Sequence, residues 1–293
     1  MTVSGMMPVP AELRAFSREA VLENGLRLHY YEAGAPDAPP LILIHGLGDE
    51  ADTWRHVLIP LSQQYRVIAL DLPGFGRSAR PRRAYTLGFY AQSVASLMAR
   101  LGIGRAALAG SSLGAAIAQR VALARPDLVE RLILVDGALP IEAHRPSGRL
   151  WWFLAPGIGE AVYTSLRRSQ DRAYATLRPY YADLDALPAE DRAFLRERVW
   201  ARVWNSGQRR AFLSTLRWLA IEGAFRAPAL RERLTRLATP TLLIWGGHDQ
   251  IAPQALAEQM AALLPNARLH VIADSGHLPQ QERPAALIAA IRG

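Results

Sequence analysis

Short aliphatic runs alternate with helix-length segments along most of the chain. Near the start, Asn24-Gly25 between two apolar segments predicts an antiparallel hairpin. The predicted strands cover residues 20–22, 26–30, 41–44, 67–70, 106–109, 132–135, 242–245 and 269–272, and the predicted helices cover 87–101, 112–124, 253–264 and 284–291. Alternating strands and helices are typical of an α/β fold, in which a mostly parallel sheet carries helices on both faces.

The alternation stops after Val135 and resumes only at Thr241. The residues between are helix-like and contain five of the seven tryptophans. Pro140 and Pro240 mark the points where such a segment would leave and rejoin the sheet. We therefore predict a helical cap at 141–238, inserted into a core made of 1–140 and 239–293.

Composition narrows the class of protein. The chain has 293 residues, of which 50% are hydrophobic and none is cysteine. This excludes a disordered chain, a disulfide framework, a thiolate metal site and a cysteine nucleophile. No apolar run approaches the ~20 residues that cross a bilayer, so no transmembrane segment is expected. The first 16 residues lack the pattern of a secretory signal, and we expect a cytoplasmic protein.

The positive charge is unevenly distributed. The formal net charge is +8 and all 34 basic residues are arginine. The predicted cap carries 17 arginines against 10 acidic residues, or +7, and the rest of the chain carries +1. Because the charge belongs to one segment and no arginine–aromatic motif accompanies it, we expect no nucleic-acid partner. A further hypothesis is that the cap contacts an anionic surface or attracts an anionic substrate.

The strongest chemical signal is Gly110-Ser111-Ser112-Leu113-Gly114, which follows a predicted strand and opens a predicted helix. A sharp turn between strand and helix holds a nucleophile in a strained conformation and requires small residues two positions before and after it. Only Ser112 has glycine at both positions. Its hydroxyl is therefore the candidate nucleophile, and the N–H of Leu113 is a candidate donor to an oxyanion.

A serine hydroxyl needs a base and an acid that orients the base. His277 lies in a turn after the last predicted strand, and Asp249 follows the strand before it. The order Ser112, Asp249, His277 matches one class of catalytic triad. Asp136, at the end of the strand after the nucleophile helix, is the competing candidate for the acid. His248 is expected to have no role in proton transfer.

A second oxyanion donor is expected in the loop after the strand at 41–44. There Gly46 would let the backbone approach a substrate, leaving the N–H of Leu47 as the donor. His45 is interpreted as a residue that structures this loop.

In these motifs, and in the glycine-rich segment 71–78, the sequence resembles the α/β-hydrolase superfamily from about Val21 onward. It is most similar to the cap-bearing serine hydrolases such as carboxylesterases and lipases. The resemblance implies an eight-stranded sheet, a helical cap, and hydrolysis without a metal or other cofactor. It assigns Ser112, Asp249 and His277 to the triad and Leu47 and Leu113 to the oxyanion hole.

The type of nucleophile separates branches of this family. Ser112 argues against haloalkane dehalogenases and related epoxide hydrolases, which use aspartate, and against dienelactone hydrolases, which use cysteine. Carbon–carbon bond hydrolases and proline iminopeptidases stay open as alternatives. The former often have tryptophan just after the catalytic histidine, where this chain has Leu278. A non-catalytic scaffold used for binding is the alternative of a different class.

The expected substrate is a small ester with an apolar acyl group. Trp151 and Trp152, in an apolar run near the start of the predicted cap, and Leu278 beside His277 are candidate pocket residues. Aromatic residues in such helices also serve as the core of the cap itself. The sequence does not indicate the oligomeric state.

Overall fold

Eight strands form one sheet in the order β1-β2-β4-β3-β5-β6-β7-β8. The computed structural model describes residues 8–141 and 150–293. Strands β1–β2 and β2–β4 pair antiparallel, and all other neighbours pair parallel. The strands are β1 Ser17–Val21, β2 Arg27–Ala33, β3 Pro40–Ile44, β4 Arg66–Leu70, β5 Ala106–Ser111, β6 Val129–Val135, β7 Thr241–Gly246 and β8 Ala267–Ile272. The predicted α/β sheet is confirmed, and each predicted strand overlaps an observed one.

The first two strands form the predicted hairpin. Gly25 has a φ of +78°, a conformation that glycine adopts without steric cost. The N–H of Leu26 donates to Oδ1 of Asn24 at 3.0 Å, and the N–H of Leu22 donates to the carbonyl of Leu26. The hairpin therefore forms the antiparallel edge of the sheet.

The central strands are buried on both faces. Along β3, Leu41 and Leu43 pack into one apolar cluster, and Ile42 and Ile44 pack into the other. Side chains alternate between faces in a strand, so a strand between two helical layers needs an unbroken apolar run. The helices of these layers are α1 Arg55–Ser62, α2 Leu87–Arg100, α3 Leu113–Ala124, α9 Gln254–Leu263, α10 Pro279–Glu282 and α11 Pro284–Arg292.

Between β6 and β7 the described residues 150–238, here called the insertion, contain helices and short 3-10 turns. The helices are α4 Leu150–Leu154, α5 Ile158–Ser165, α6 Gln170–Ala175, α7 Ala189–Trp204 and α8 Ser206–Leu234. Tyr163, Tyr174, Leu195 and Val199 belong to an apolar cluster within the insertion. The 29-residue helix α8 continues across Pro228, although proline usually ends or kinks a helix.

Of the helices in residues 8–141 and 150–293, none is both long and apolar enough to cross a membrane.

The carboxyl ends of the parallel strands lie at one edge of the sheet. The turn at Ser112, the turn at Asp136 and the loops at 247–249 and 273–277 follow β5, β6, β7 and β8 there. In parallel sheets, ligands bind in crevices at this edge. The candidate site is therefore built from loops that a packed sheet holds in place.

Candidate active site

Ser112 stands at the turn between β5 and α3 with φ 54° and ψ −114°. A positive φ is rare for a residue with a side chain and costs energy that the surrounding packing must supply. Here the N–H of Ser112 donates to the carbonyl of Val135 at 2.8 Å. Ser112 is partly exposed, whereas its neighbour Ser111 is fully buried. The turn thus presents one of the two serines to solvent.

Close backbone contacts explain the glycines around this turn. A Cβ atom on Gly114 would lie 2.9 Å from the carbonyl oxygen of His45 and closer still to that of Ile44. A Cβ atom on Gly110 would collide with the backbone of Gly114. Gly137, which the sequence analysis did not single out, packs the same way: its Cβ would lie 2.6 Å from Cα of Ser112. The turn is therefore enclosed by backbone on three sides.

The loop after β3 lies beside the nucleophile candidate. A Cβ atom on Gly46 would be 3.4 Å from Cβ of Ser112 and 4.0 Å from its Oγ. The N–H of Leu47 makes no hydrogen bond within the described part of the chain, and Leu113, as the first residue of α3, has no intrahelical acceptor. Both N–H groups are thus available to a ligand.

His45 structures this loop. Its Nδ1 lies 2.8 Å from the carbonyl oxygen of Gly46, and its Nε2 lies 3.0 Å from the N–H of Leu72. The imidazole is fully buried, and this burial lowers the pKa of His45. A neutral ring that donates from Nδ1 and accepts at Nε2 satisfies both contacts.

His277 and Asp249 are hydrogen-bonded across the loops after β8 and β7. Nδ1 of His277 lies 2.7 Å from Oδ2 of Asp249, and both side chains are almost completely buried. The other carboxylate oxygen of Asp249 accepts from the N–H groups of Ile251 and Ala252 at 2.7 and 2.9 Å. The carboxylate is therefore fixed by three donors. His248 is exposed and outside this arrangement.

Nε2 of His277 is buried and has no hydrogen-bond partner among the described residues. It makes no hydrogen bond to Oγ of Ser112. The two loops are nevertheless connected, because Gln280 donates from Nε2 to Oγ of Ser111 at 3.2 Å. The free ring nitrogen is the position from which a base would act.

A second carboxyl group lies within this arrangement. Oxygen atoms of Asp136 and Asp249 and a ring nitrogen of His277 lie within 4.8 Å of one another. This is the spacing of a set of metal ligands. However, the short contact of His277 Nδ1 with Asp249 satisfies both groups without an ion. Asp136 has φ 48°, and its Oδ1 accepts from the N–H of Gly246 at 2.7 Å.

The insertion also contacts the histidine loop, through residues that the sequence analysis missed. The N–H of His277 donates to the carbonyl of Tyr180 at 2.9 Å, and the two rings meet edge to face at 5.6 Å. Glu282 accepts from the N–H of Gly276 at 2.6 Å and from that of Ala182 at 2.8 Å. Burial raises the pKa of Glu282. Because only tertiary packing brings these residues together, no local sequence pattern indicates them.

Two arginines of the insertion form ion pairs with acidic residues outside it. Arg202 is bonded to Asp49 at 2.6 Å and to Glu50 at 3.1 Å, and Arg198 lies 3.0 Å from Asp52. These acidic residues follow the loop that contains Leu47. Part of the basic charge therefore holds the insertion against the sheet domain.

The candidate pocket residues lie in different surroundings. Leu278 packs against the apolar cluster of the insertion, beside His277. Trp152 is 56% exposed, and the side chain of Trp151 is outside the described residues. A cavity of about 1080 Å³ lies between α2, α3 and α8, but none of Ser112, Asp249 and His277 lines it.

The sequence and the fold of this chain are similar to those of known proteins. The family model described as "alpha/beta hydrolase fold" matches residues 39–284. The uncharacterized hydrolase YugF of Bacillus subtilis is 27% identical over 274 residues, covering 89% of this chain and 91% of its own. Epoxide hydrolase 3 of Xenopus tropicalis is 28% identical, covering 92% and 75%.

A solved structure described as a membrane phospholipase A, a bacterial virulence factor, superimposes with a TM-score of 0.75. It is 30% identical, and the match covers 94% of this chain and 86% of that one. The order of strands and the family match lead to the same conclusion: the chain belongs to the α/β-hydrolase family.

Proposed function

We propose that this protein is a serine hydrolase that cleaves carboxylic esters through Ser112, His277 and Asp249. The single observation that carries the proposal is the pairing of a strained, partly exposed Ser112 with a buried His277–Asp249 hydrogen bond at the same sheet edge. An isolated imidazole or an isolated serine would support many functions. A nucleophile turn together with an oriented base supports acyl transfer.

The direction of proton transfer follows from the contacts of the ring. Because Asp249 is held by two backbone N–H groups, it accepts a third hydrogen bond from Nδ1–H of His277. The ring then carries no proton on Nε2, which can accept the proton of Ser112. Asp249 also stabilises the imidazolium that forms.

In the proposed reaction Oγ of Ser112 attacks the ester carbonyl while its proton passes to Nε2 of His277. The N–H groups of Leu47 and Leu113 stabilise the oxyanion. His277 then protonates the leaving alkoxide as the ester C–O bond breaks, which leaves an acyl-enzyme. A water molecule, deprotonated by His277, attacks the acyl carbon. His277 then returns this proton to Oγ of Ser112 as the acyl C–Oγ bond breaks, which releases the carboxylic acid and free Ser112.

The ester preference is supported by the type of nucleophile and by similarity. A likeness to a structure described as a membrane phospholipase A favours an ester with an apolar acyl chain. The apolar cluster of the insertion, with Leu278 next to His277, is the proposed wall for that chain. In this proposal the insertion acts as a cap over Ser112, and the protein works in the cytoplasm.

Hydrolysis of p-nitrophenyl esters from acetate to palmitate tests the proposal. Ser112→Ala should lower kcat at least ~10⁴-fold. Ser111→Ala is the matched control, because Ser111 is adjacent but buried, and it should stay within about tenfold of wild type. Activity that survives in Ser112→Ala would refute the nucleophile. A rate that rises with acyl length would support the apolar wall.

Other reactions of the family are separate arms of the same experiment. A solved structure described as a meta-cleavage product hydrolase is 25% identical with a TM-score of 0.74, which keeps carbon–carbon bond hydrolysis as the second candidate. A proline p-nitroanilide tests the iminopeptidase alternative. Folded protein without activity on any arm would favour the non-catalytic scaffold.

The proposal also includes a contact of the insertion with an anionic surface. Trp218, Ile221 and Phe225 lie on one face of α8 and are 39%, 44% and 81% exposed. The side chain of the adjacent Arg226 is 68% exposed and lies 3.6 Å from the carboxylate of Glu222. Exposed aromatic and basic side chains on the same helix favour an anionic lipid surface.

Co-sedimentation with phosphatidylcholine vesicles, with and without phosphatidylglycerol, tests this contact. Binding should require the anionic lipid, weaken with salt and decrease in Phe225→Ser. Ile59→Ser, at a residue that is 40% exposed on α1, is the control and should bind like wild type.

A further inference from the structure

Asp136 has a carboxyl group that the proposed reaction does not use. It follows β6 directly, and the next residue, Gly137, packs against the backbone of Ser112. The residue is fully buried, with φ 48°. A buried carboxyl in a strained turn against the nucleophile requires a physical explanation.

The two oxygens of this carboxyl have different surroundings. Oδ1 accepts a hydrogen bond of 2.7 Å from the N–H of Gly246. Oδ2 is buried and has no partner among the residues that the structure describes. No ion pair joins Asp136 to an arginine within that part of the chain. An ionised carboxylate with one donor and no cation is costly in such a place.

The titratable groups that face Asp136 make ionisation still less favourable. Asp249 after β7 and Glu282 on α10 are both acidic, and His277 after β8 is already paired with Asp249. Burial, and next the charge of Asp249, raise the pKa of Asp136 well above its usual value. When two carboxyl groups share a buried site, one of them keeps its proton.

The hydrogen bonds decide which group keeps the proton. Asp249 accepts from Ile251, Ala252 and His277, whereas Asp136 accepts only from Gly246. Three donors stabilise a negative charge better than one. The charge therefore belongs on Asp249, and the proton belongs on the unpartnered Oδ2 of Asp136.

We propose that Asp136 is a neutral carboxylic acid whose O–H donates to Asp249, and that it is a positioning residue for the triad. This inference rests on the proposed function. The proton fills the gap between the two carboxyl groups and holds Asp249 in line with Nδ1 of His277. It also limits the negative charge beside His277 to one unit.

The test compares Asp136→Asn with Asp249→Asn. Asparagine tolerates a left-handed φ, can accept from Gly246 and can donate to Asp249, so it reproduces the neutral acid. The proton on Nδ1 of His277, followed by its downfield NMR signal, should remain in Asp136→Asn and should be lost in Asp249→Asn. Loss of this signal in Asp136→Asn would overturn the proposal, because an amide that reproduces a neutral acid should hold Asp249 in the same position.

A second measurement uses the wild-type protein. Infrared spectroscopy at neutral pH should show the C=O band of a protonated carboxylic acid, and this band should be missing in Asp136→Asn. No such difference between the two proteins would also overturn the proposal. Neither readout depends on ester hydrolysis, so failure of the proposed function is distinguished from failure of this inference.

Kinetics separate positioning from a general loss of structure. Asp136→Asn should retain kcat within about tenfold, with an unchanged pH profile. Asp136→Ala leaves the N–H of Gly246 without its acceptor and should lower kcat more than it raises KM. If Asn fails to restore what Ala loses, the neutral-acid role is wrong.

Discussion

The backbone N–H of His277 donates a hydrogen bond of 2.9 Å to the carbonyl oxygen of Tyr180, a residue of the insertion. A Cβ atom on the preceding Gly276 would lie 2.5 Å from the backbone nitrogen of Ala182, so the two segments touch along their main chains. The position of the proposed base therefore depends on the position of the insertion. A displacement of the insertion would also displace His277.

Glu282 is the side chain that reinforces this contact, and Glu282→Gln tests it. An amide nitrogen cannot accept a hydrogen bond, so either Gly276 or Ala182 would lose its acceptor. We expect a loss of about 1–3 kcal/mol in the free energy of unfolding, measured by urea denaturation, and a lower kcat. Asp274→Asn, an exposed carboxylate in the same loop, should change neither. Wild-type stability in Glu282→Gln would show that the contact is unimportant.

The close packing of the turn at Ser112 predicts that two Gly→Ala substitutions differ widely in their effect on stability. In Gly114→Ala the new Cβ meets the backbone of Ile44 and His45, which cannot move without shifting β3. We expect a loss of at least ~3 kcal/mol or a failure to fold. In Gly88→Ala the nearest atom is Oγ1 of Thr86 at 3.8 Å, and alanine favours helix. That control should match wild type or exceed its stability, and similar stability of the two variants would contradict the proposed packing.

The ion pairs of Arg202 with Asp49 and Glu50 predict that this cation of the insertion contributes to the stability of the fold. In Arg202→Met, Asp49 loses its cation and Glu50 is left with the more distant Arg198. Burial already raises the pKa of Glu50, so the substitution should cost about 3–5 kcal/mol. Because these residues follow the Leu47 loop, kcat should fall as well. Arg231→Met, at an exposed position, should stay within ~0.5 kcal/mol, as measured by thermal unfolding.

The raised pKa of Asp136 predicts how stability depends on pH. An acid whose folded pKa lies above its unfolded pKa binds more protons in the folded state. Its contribution to stability is therefore present at low pH and is lost as pH rises through the folded pKa. Asp136→Asn lacks this dependence, so its stability relative to wild type should increase from about pH 4 upward. Urea denaturation at several pH values measures the difference. A relative stability that decreases with pH would mean that the folded pKa is lowered.

The sequence predicted the parts of the fold that local patterns determine. The four-residue apolar run of β3, buried on both faces, and the glycines around Ser112 are local features, and each corresponds to an observed strand or turn. The Asn24-Gly25 hairpin is another local feature that the sequence predicted. The family and its sheet are confirmed, whereas the roles of Ser112, Asp249 and His277 stay predictions that the geometry supports.

The sequence could not predict contacts between distant segments. Glu282 reaches Ala182 across 100 positions, and Arg202 reaches Asp49 across 153 positions. Neither pair has a spacing that signals contact, because the packing of the insertion alone brings them together. For the same reason, the net charge of the predicted cap did not reveal that the buried Arg198 and the partly buried Arg202 are ion-pair partners. Helix α8 continues through Pro228, where a local rule predicts a break.

The turn at Ser112 has a consequence for how this framework could change its chemistry. The backbone is closely packed at Gly110, Gly114 and Gly137 around this turn, whereas residue 112 itself is partly exposed. A carboxylate or a thiol could therefore take the same place without rebuilding the sheet. Such an exchange would alter which bonds are broken while the architecture persists, so new reactions at this position require replacement of one side chain and adjustment of its neighbours.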